Sequence, residues 1–233
     1  MKPLTQKSLW ALFALFCIVL YLAGVFSGLA TKRVIEEQTE QEIMFLRGYV
    51  NQLDTDMRSF QLQERVLRSL GSERCDISDR YFGEIAQRLN TYWEVLPERL
   101  EEYEQYAELS QEYLALKAEY TQVSLQAWIV AKENFEMCNS SVIPLLYFYT
   151  PQCEACVRQG QELDLVKSEF AQEDKTVIVF TLDKEFEDPT IRMLRSLFDI
   201  TQSPAIILNS QVLQGDVFSY VRVSEEVRQW LLA

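Results

Sequence analysis

The sequence predicts an α/β domain of element order β-α-β-α-β-β-α, preceded by a transmembrane helix and an all-α, coiled-coil-like helical hairpin region. Three observations predict it. An uncharged run of 23 residues, Ser8 to Ala30, stands near the N-terminus. An apolar pattern of helical period fills residues 32–138, interrupted by one Pro and three Gly. Beyond residue 141, short β-branched and aromatic runs alternate with amphipathic stretches. The expected division is a membrane anchor over 1–31, a helical extension over 32–138 and the α/β domain over 141–233.

The first run is long enough for a bilayer, which needs about 20 apolar residues. Lys2 and Lys7 precede it, and Lys32 and Arg33 close it. A cleaved signal peptide has a shorter apolar region of about 7–15 residues, so a retained signal anchor is expected. A short basic N-terminus before a long domain points to a cytoplasmic N-terminus and an extracytoplasmic C-terminal domain. Cys17, inside the run, reads as a small apolar residue.

Charge and composition exclude whole classes of chemistry. With 22 Lys+Arg against 35 Asp+Glu the net charge is −13, a surface that repels a phosphate backbone, so no nucleic-acid partner is expected. The chain has no His. That rules out Ser-His-Asp and Cys-His nucleophile activation and the His-based zinc and iron sites. Carboxylate, thiol, amine and phenol remain.

In the helical extension, Ile43, Leu46, Val50, Leu53, Met57 and Phe60 follow 3-4 spacing, and Gly71-Ser72 ends that helix. A second stripe runs through Phe82, Ile85, Leu89, Tyr92, Leu96 and Tyr103, with Ser78 as its N-cap and Pro97 as a kink. A third holds Leu109, Leu116, Val123 and Val130, with Tyr106, Tyr113 and Tyr120 beside them. Cys75 follows the first helix and Cys138 the third stripe. A fold-back near residue 106 gives two arms of roughly 45 Å at 1.5 Å per residue. Both cysteines then lie at one end of an antiparallel hairpin, within the roughly 7 Å that a bridge requires. A structural Cys75–Cys138 disulfide is therefore expected.

In the α/β domain, Val142 to Tyr149 reads as a buried strand and Cys153-Glu154-Ala155-Cys156 opens a helix. Thr176 to Thr181 is a second strand of the continuous apolar kind found in sheets covered on both faces. Asp188 caps a helix that has Pro189 at its first position. Ser203-Pro204 leads into Ala205–Leu208, an Asn209-Ser210 turn and a return strand at Gln211–Leu213. A last helix is expected from Ser224.

This order, with C-x-x-C at the first strand-to-helix junction and Pro before the third strand, resembles the thioredoxin superfamily over about residues 141–233. The resemblance implies that Cys153 is the exposed nucleophile, Cys156 the buried resolving thiol and Pro204 a cis proline opposite them. It implies that Ser203 and Gln152 contact a bound substrate. Position alone supports the chemistry: a helix N-terminus favours the thiolate of Cys153, and Cys156 one turn on can resolve a mixed disulfide. Two departures matter. Glu154 sets a negative charge beside the nucleophile, which disfavours thiolate and predicts a less oxidising disulfide, with a potential nearer thioredoxin's than that of the strongly oxidising DsbA. Tyr147 stands where thioredoxin carries a buried Asp, so Glu154 or water must move the proton.

The expected function is a membrane-tethered, extracytoplasmic thiol–disulfide oxidoreductase without cofactor or metal. Its expected partners are cysteine-containing protein substrates or a membrane redox partner. The alternative is an interaction protein whose heptads form a homo-oligomer or hold another chain, with the C-terminal domain as a binding module.

Overall fold

The computed structural model describes residues 6–69, 75, 83, 96, 99–100 and 111–232, with side chains placed outside 6–16, 27–42, 64, 67, 68 and 112. The described elements are α1 (Gln6–Ser69), α2 (Gln111–Cys138), β1 (Val142–Tyr149), α3 (Glu154–Ala171), β2 (Thr176–Asp183), α4 (Pro189–Leu197), β3 (Ala205–Leu208), β4 (Gln211–Gln214) and α5 (Tyr220–Leu231). Cys75, Gly83, Leu96, Arg99 and Leu100 are also helical. The chain divides into two compact units, Met1–Phe45 and Leu46–Ala233.

In the first unit the chain is helical from Gln6. The expected transmembrane helix is corrected here: among the described residues no helix is long and apolar enough to cross a membrane. The signal anchor and the single-pass topology fall with it. So do the cytoplasmic N-terminus and extracytoplasmic C-terminus, which rested on that topology.

The second unit holds a four-stranded mixed sheet of order β2-β1-β3-β4. β1 and β2 run parallel from Val142↔Thr176 to Tyr149↔Asp183, whereas β3 lies antiparallel to β1 and to β4. Every residue of β1 is buried, which explains its unbroken apolar run. Pro144, with no N–H to give, is tolerated because β3 pairs only with Leu146–Phe148. Ile143, Leu145, Tyr147 and Tyr149 share one face with Val177 and Val179 of β2. They pack against Cys156, Leu163, Val166 and Phe170 of α3 and Val223 and Val227 of α5. Each such side chain, fully buried, contributes on the order of 1.5–3 kcal/mol.

Local chemistry sets the element ends. Asp188 accepts from the amides of Thr190 and Ile191, and Pro189 opens α4. Asn209 takes a left-handed φ of 55° in the β3–β4 turn. The last helix begins at Tyr220, capped by Ser219, and not at Ser224. Ser224 is instead buried and donates to Glu169.

The helical region of this unit packs on the sheet through α2, which touches β1 and β2. Leu46, Val50, Leu53, Met57 and Phe60 of α1 are buried, as are Tyr113, Leu116, Tyr120, Val123 and Val130 of α2. Gln61 donates across to Gln126 at 3.3 Å. The Tyr113 hydroxyl donates to the Leu100 carbonyl at 3.0 Å. One unbroken helix would hold those two residues about 20 Å apart. Gly71-Ser72, Ser78, Pro97, the turn near 106, Leu109 and most of the second stripe lie outside the described residues.

Candidate functional site

Cys153 and Cys156 form a disulfide with Cα atoms 5.1 Å apart. The loop after β1 turns at Gln152, whose φ is 58°, and delivers Cys153 in extended conformation as the N-cap of α3. The Cys156 amide donates to the Cys153 sulfur at 3.0 Å and also to its carbonyl at 2.9 Å. Cys153 is half-buried and Cys156 buried, so an incoming group meets Cys153 first. Gln152 and Glu154, on either side of Cys153, are exposed.

The strand register brings a second segment to this end of the sheet. Ala205 opposes Phe148, so Ser203-Pro204 enters the sheet where β1 leaves it for Cys153. The Ser203–Pro204 peptide is cis, Pro204 is buried and the Ser203 hydroxyl oxygen is buried without a partner. Gln214 fixes the approach to it. Its Oε1 accepts from the amides of Thr201 and Gln202 at 2.9 and 3.1 Å, and its Nε2 donates to the Asp199 carbonyl. The Gly215 amide donates to the Pro204 carbonyl at 3.0 Å, and a Cβ at Gly215 would stand 2.0 Å from Gln202.

Cys75 and Cys138 are joined by a second disulfide, with Cα atoms 5.2 Å apart. Cys138 ends α2 just before β1 starts, at the opposite end of that strand from Cys153. Eight residues of strand separate the two ends by about 26 Å, so this bridge takes no part in chemistry at Cys153.

Four contacts near or under the site were missed by sequence reasoning. The Tyr147 hydroxyl, buried in the core, donates to the Cys156 carbonyl at 2.8 Å. Lys117 of α2 reaches Asp183 at the end of β2, again on the Cys153 side of the sheet, with a 2.6 Å ion pair. The Tyr120 hydroxyl donates to the Thr181 carbonyl. Burial pushes that phenol far above its ordinary range, with a Ser124 hydrogen bond acting the other way. Buried Gln159 of α3 both donates to the Phe218 carbonyl and accepts from its amide, tying the loop before α5 to α3. None of these pairs has a spacing that marks it in sequence, since each joins separate elements.

Among the described residues no group of three or more Cys, Asp or Glu side chains is placed to hold a metal ion. No family model, no curated protein and no solved structure matches the chain.

Proposed function

We propose that this protein is a thiol–disulfide oxidoreductase with a thioredoxin-like C-terminal domain, acting on cysteine-containing proteins through Cys153 and Cys156. One observation carries the reading: a half-buried sulfur caps the N-terminus of α3 and accepts the amide of its buried partner. Helix-end N–H groups stabilise charge on such a sulfur, and the thiolate is the reactive form. The Ser203–Pro204 segment, which enters the sheet at the same end, supports a substrate backbone resting beside the dithiol.

In the reducing direction the Cys153 thiolate attacks one sulfur of a substrate disulfide. That S–S bond breaks, a mixed disulfide forms at Cys153, and the departing substrate thiolate takes a proton. Cys156, as thiolate, then attacks the Cys153 sulfur and expels the second substrate thiolate, which is protonated in turn. Two electrons have passed to the substrate, and the protein ends as the Cys153–Cys156 disulfide. A thiol donor must reduce it again. Run backwards, the same steps oxidise a substrate dithiol.

Reduction of insulin by a small thiol, followed by turbidity, tests this. The full chain should accelerate it and Cys153→Ser should not. Equal rates for the two would remove the enzymatic reading. Cys156→Ala, unable to resolve, should accumulate mixed disulfides with its protein substrates, which mass spectrometry identifies.

A further inference from the structure

We propose that Tyr147 is the positioning residue of the dithiol, holding Cys156 through its carbonyl so that the Cys156 amide stays on the Cys153 sulfur. The inference rests on the redox reading of that pair and adds a residue to it.

Three observations carry it. The Tyr147 hydroxyl lies 2.8 Å from the Cys156 carbonyl oxygen, nine residues on, and is its donor. Tyr147 is itself fixed, being 5% exposed on the central strand and packed with Cys156, Leu163 and Val166. Between the two residues the chain leaves the sheet and turns through Gln152 at φ 58°, so the strand ladder no longer holds it. The hydroxyl therefore ties the first turn of α3 directly to β1.

The consequence follows from the other side of the same residue. The Cys156 amide, 3.0 Å from the Cys153 sulfur, is a stronger donor to a thiolate than to a disulfide sulfur, because the first bond is charge-assisted. Holding that amide in place favours the reduced form. Without the tether, Cys153 ionises at higher pH and the pair becomes more reducing.

The test is the equilibrium of the full chain with reduced and oxidised glutathione, read by mass after acid trapping, together with the pH profile of Cys153 alkylation. Tyr147→Phe keeps the ring and removes only the donor. It should lower the equilibrium constant for reduction about threefold, which corresponds to about 14 mV, and move the alkylation midpoint upward. Tyr149→Phe, on the same strand face, should move neither. Fluorotyrosine at position 147, a stronger donor that preserves the shape, should shift both readings the opposite way and serves should the Phe variant not fold. Unchanged constants at position 147, or an equal shift for Tyr149→Phe, overturn the proposal. Insulin turnover by the unsubstituted chain is scored separately, so loss of the oxidoreductase reading is distinguishable from loss of this one.

Discussion

The Lys117 ammonium lies 2.6 Å from the Asp183 carboxylate, and both side chains are only 5% exposed. Asp183 also accepts the Glu185 amide at 2.8 Å, while the Lys117 ammonium sits over the rings of Phe186 and Tyr113. Dehydrating two charges is costly, and only their mutual attraction and these extra contacts offset it. Truncating one partner leaves a bare buried charge. Lys117→Met should therefore destabilise the fold by about 3–5 kcal/mol, whereas Lys117→Met with Asp183→Leu should recover most of the loss. Urea unfolding of both variants measures this, and a double variant no better than the single would show that packing, not charge, is at stake.

The bridge between Cys75 and Cys138 closes a loop with a sequence separation of 63. The chain-entropy model assigns such a loop about 4 kcal/mol. Cys75→Ala with Cys138→Ala should lower stability by about that amount. The Cys153 alkylation profile should stay as it was, since the bridge lies at the far end of β1. A changed profile would mean that the helical region acts on the dithiol after all.

Legibility in sequence tracked how local the cause was. The β1 strand shows as Val142–Tyr149 because burial on both faces demands an unbroken apolar run. The α4 start shows because Asp188 and Pro189 act within one turn. The start of α5 misled for a related reason. Ser224 before two glutamates mimics a cap, yet it lies inside the helix, because Val223 and Val227 must face the core and extend the helix back to Ser219. The apolar run at 8–30 misled differently: an uncharged run of bilayer length between basic flanks predicts a span from residue types alone, yet no helix among the described residues is long and apolar enough to cross a membrane. At the site, the thiol pair was legible from its junction. What holds it was not, because the Tyr147 bond, the Gln214 contacts and the Lys117–Asp183 pair each join separate elements that only the folded chain brings together.

Glu154 follows Cys153 directly and opens α3 with an exposed carboxylate. Its charge opposes the helix end for possession of the sulfur's charge, so the reduced pair gains less stabilisation. The potential should lie nearer the thioredoxin value of about −270 mV than the DsbA value of about −120 mV. Glu154→Gln should raise it and lower the Cys153 alkylation midpoint, by less in 1 M salt, where an exposed charge is screened. A native potential above about −180 mV, or no response to the substitution at low salt, defeats this account.

Arg228 of α5 joins α5 to α3 and to the turn that follows it, bonding Glu169 at 2.8 Å and Glu173 at 3.0 Å, while Ser224 donates to Glu169 at 2.6 Å. The Ser224 and then the Arg228 hydrogen bonds hold the Glu169 carboxyl below its usual range, and the Arg228 hydrogen bond does the same for Glu173. A carboxyl with a lowered folded pKa contributes stability that is complete above its unfolded pKa, about 4.3. That contribution drains away as pH falls through the lower folded value. Hence the urea midpoint of the native chain should decline between about pH 5 and pH 3, and decline less in Arg228→Ala, where both carboxyls titrate nearer their ordinary value. All three side chains are a third or more exposed, so the difference between the two curves should be small and should shrink in 1 M salt. Parallel curves at low ionic strength would show that this cluster fixes helix orientation without contributing to acid sensitivity.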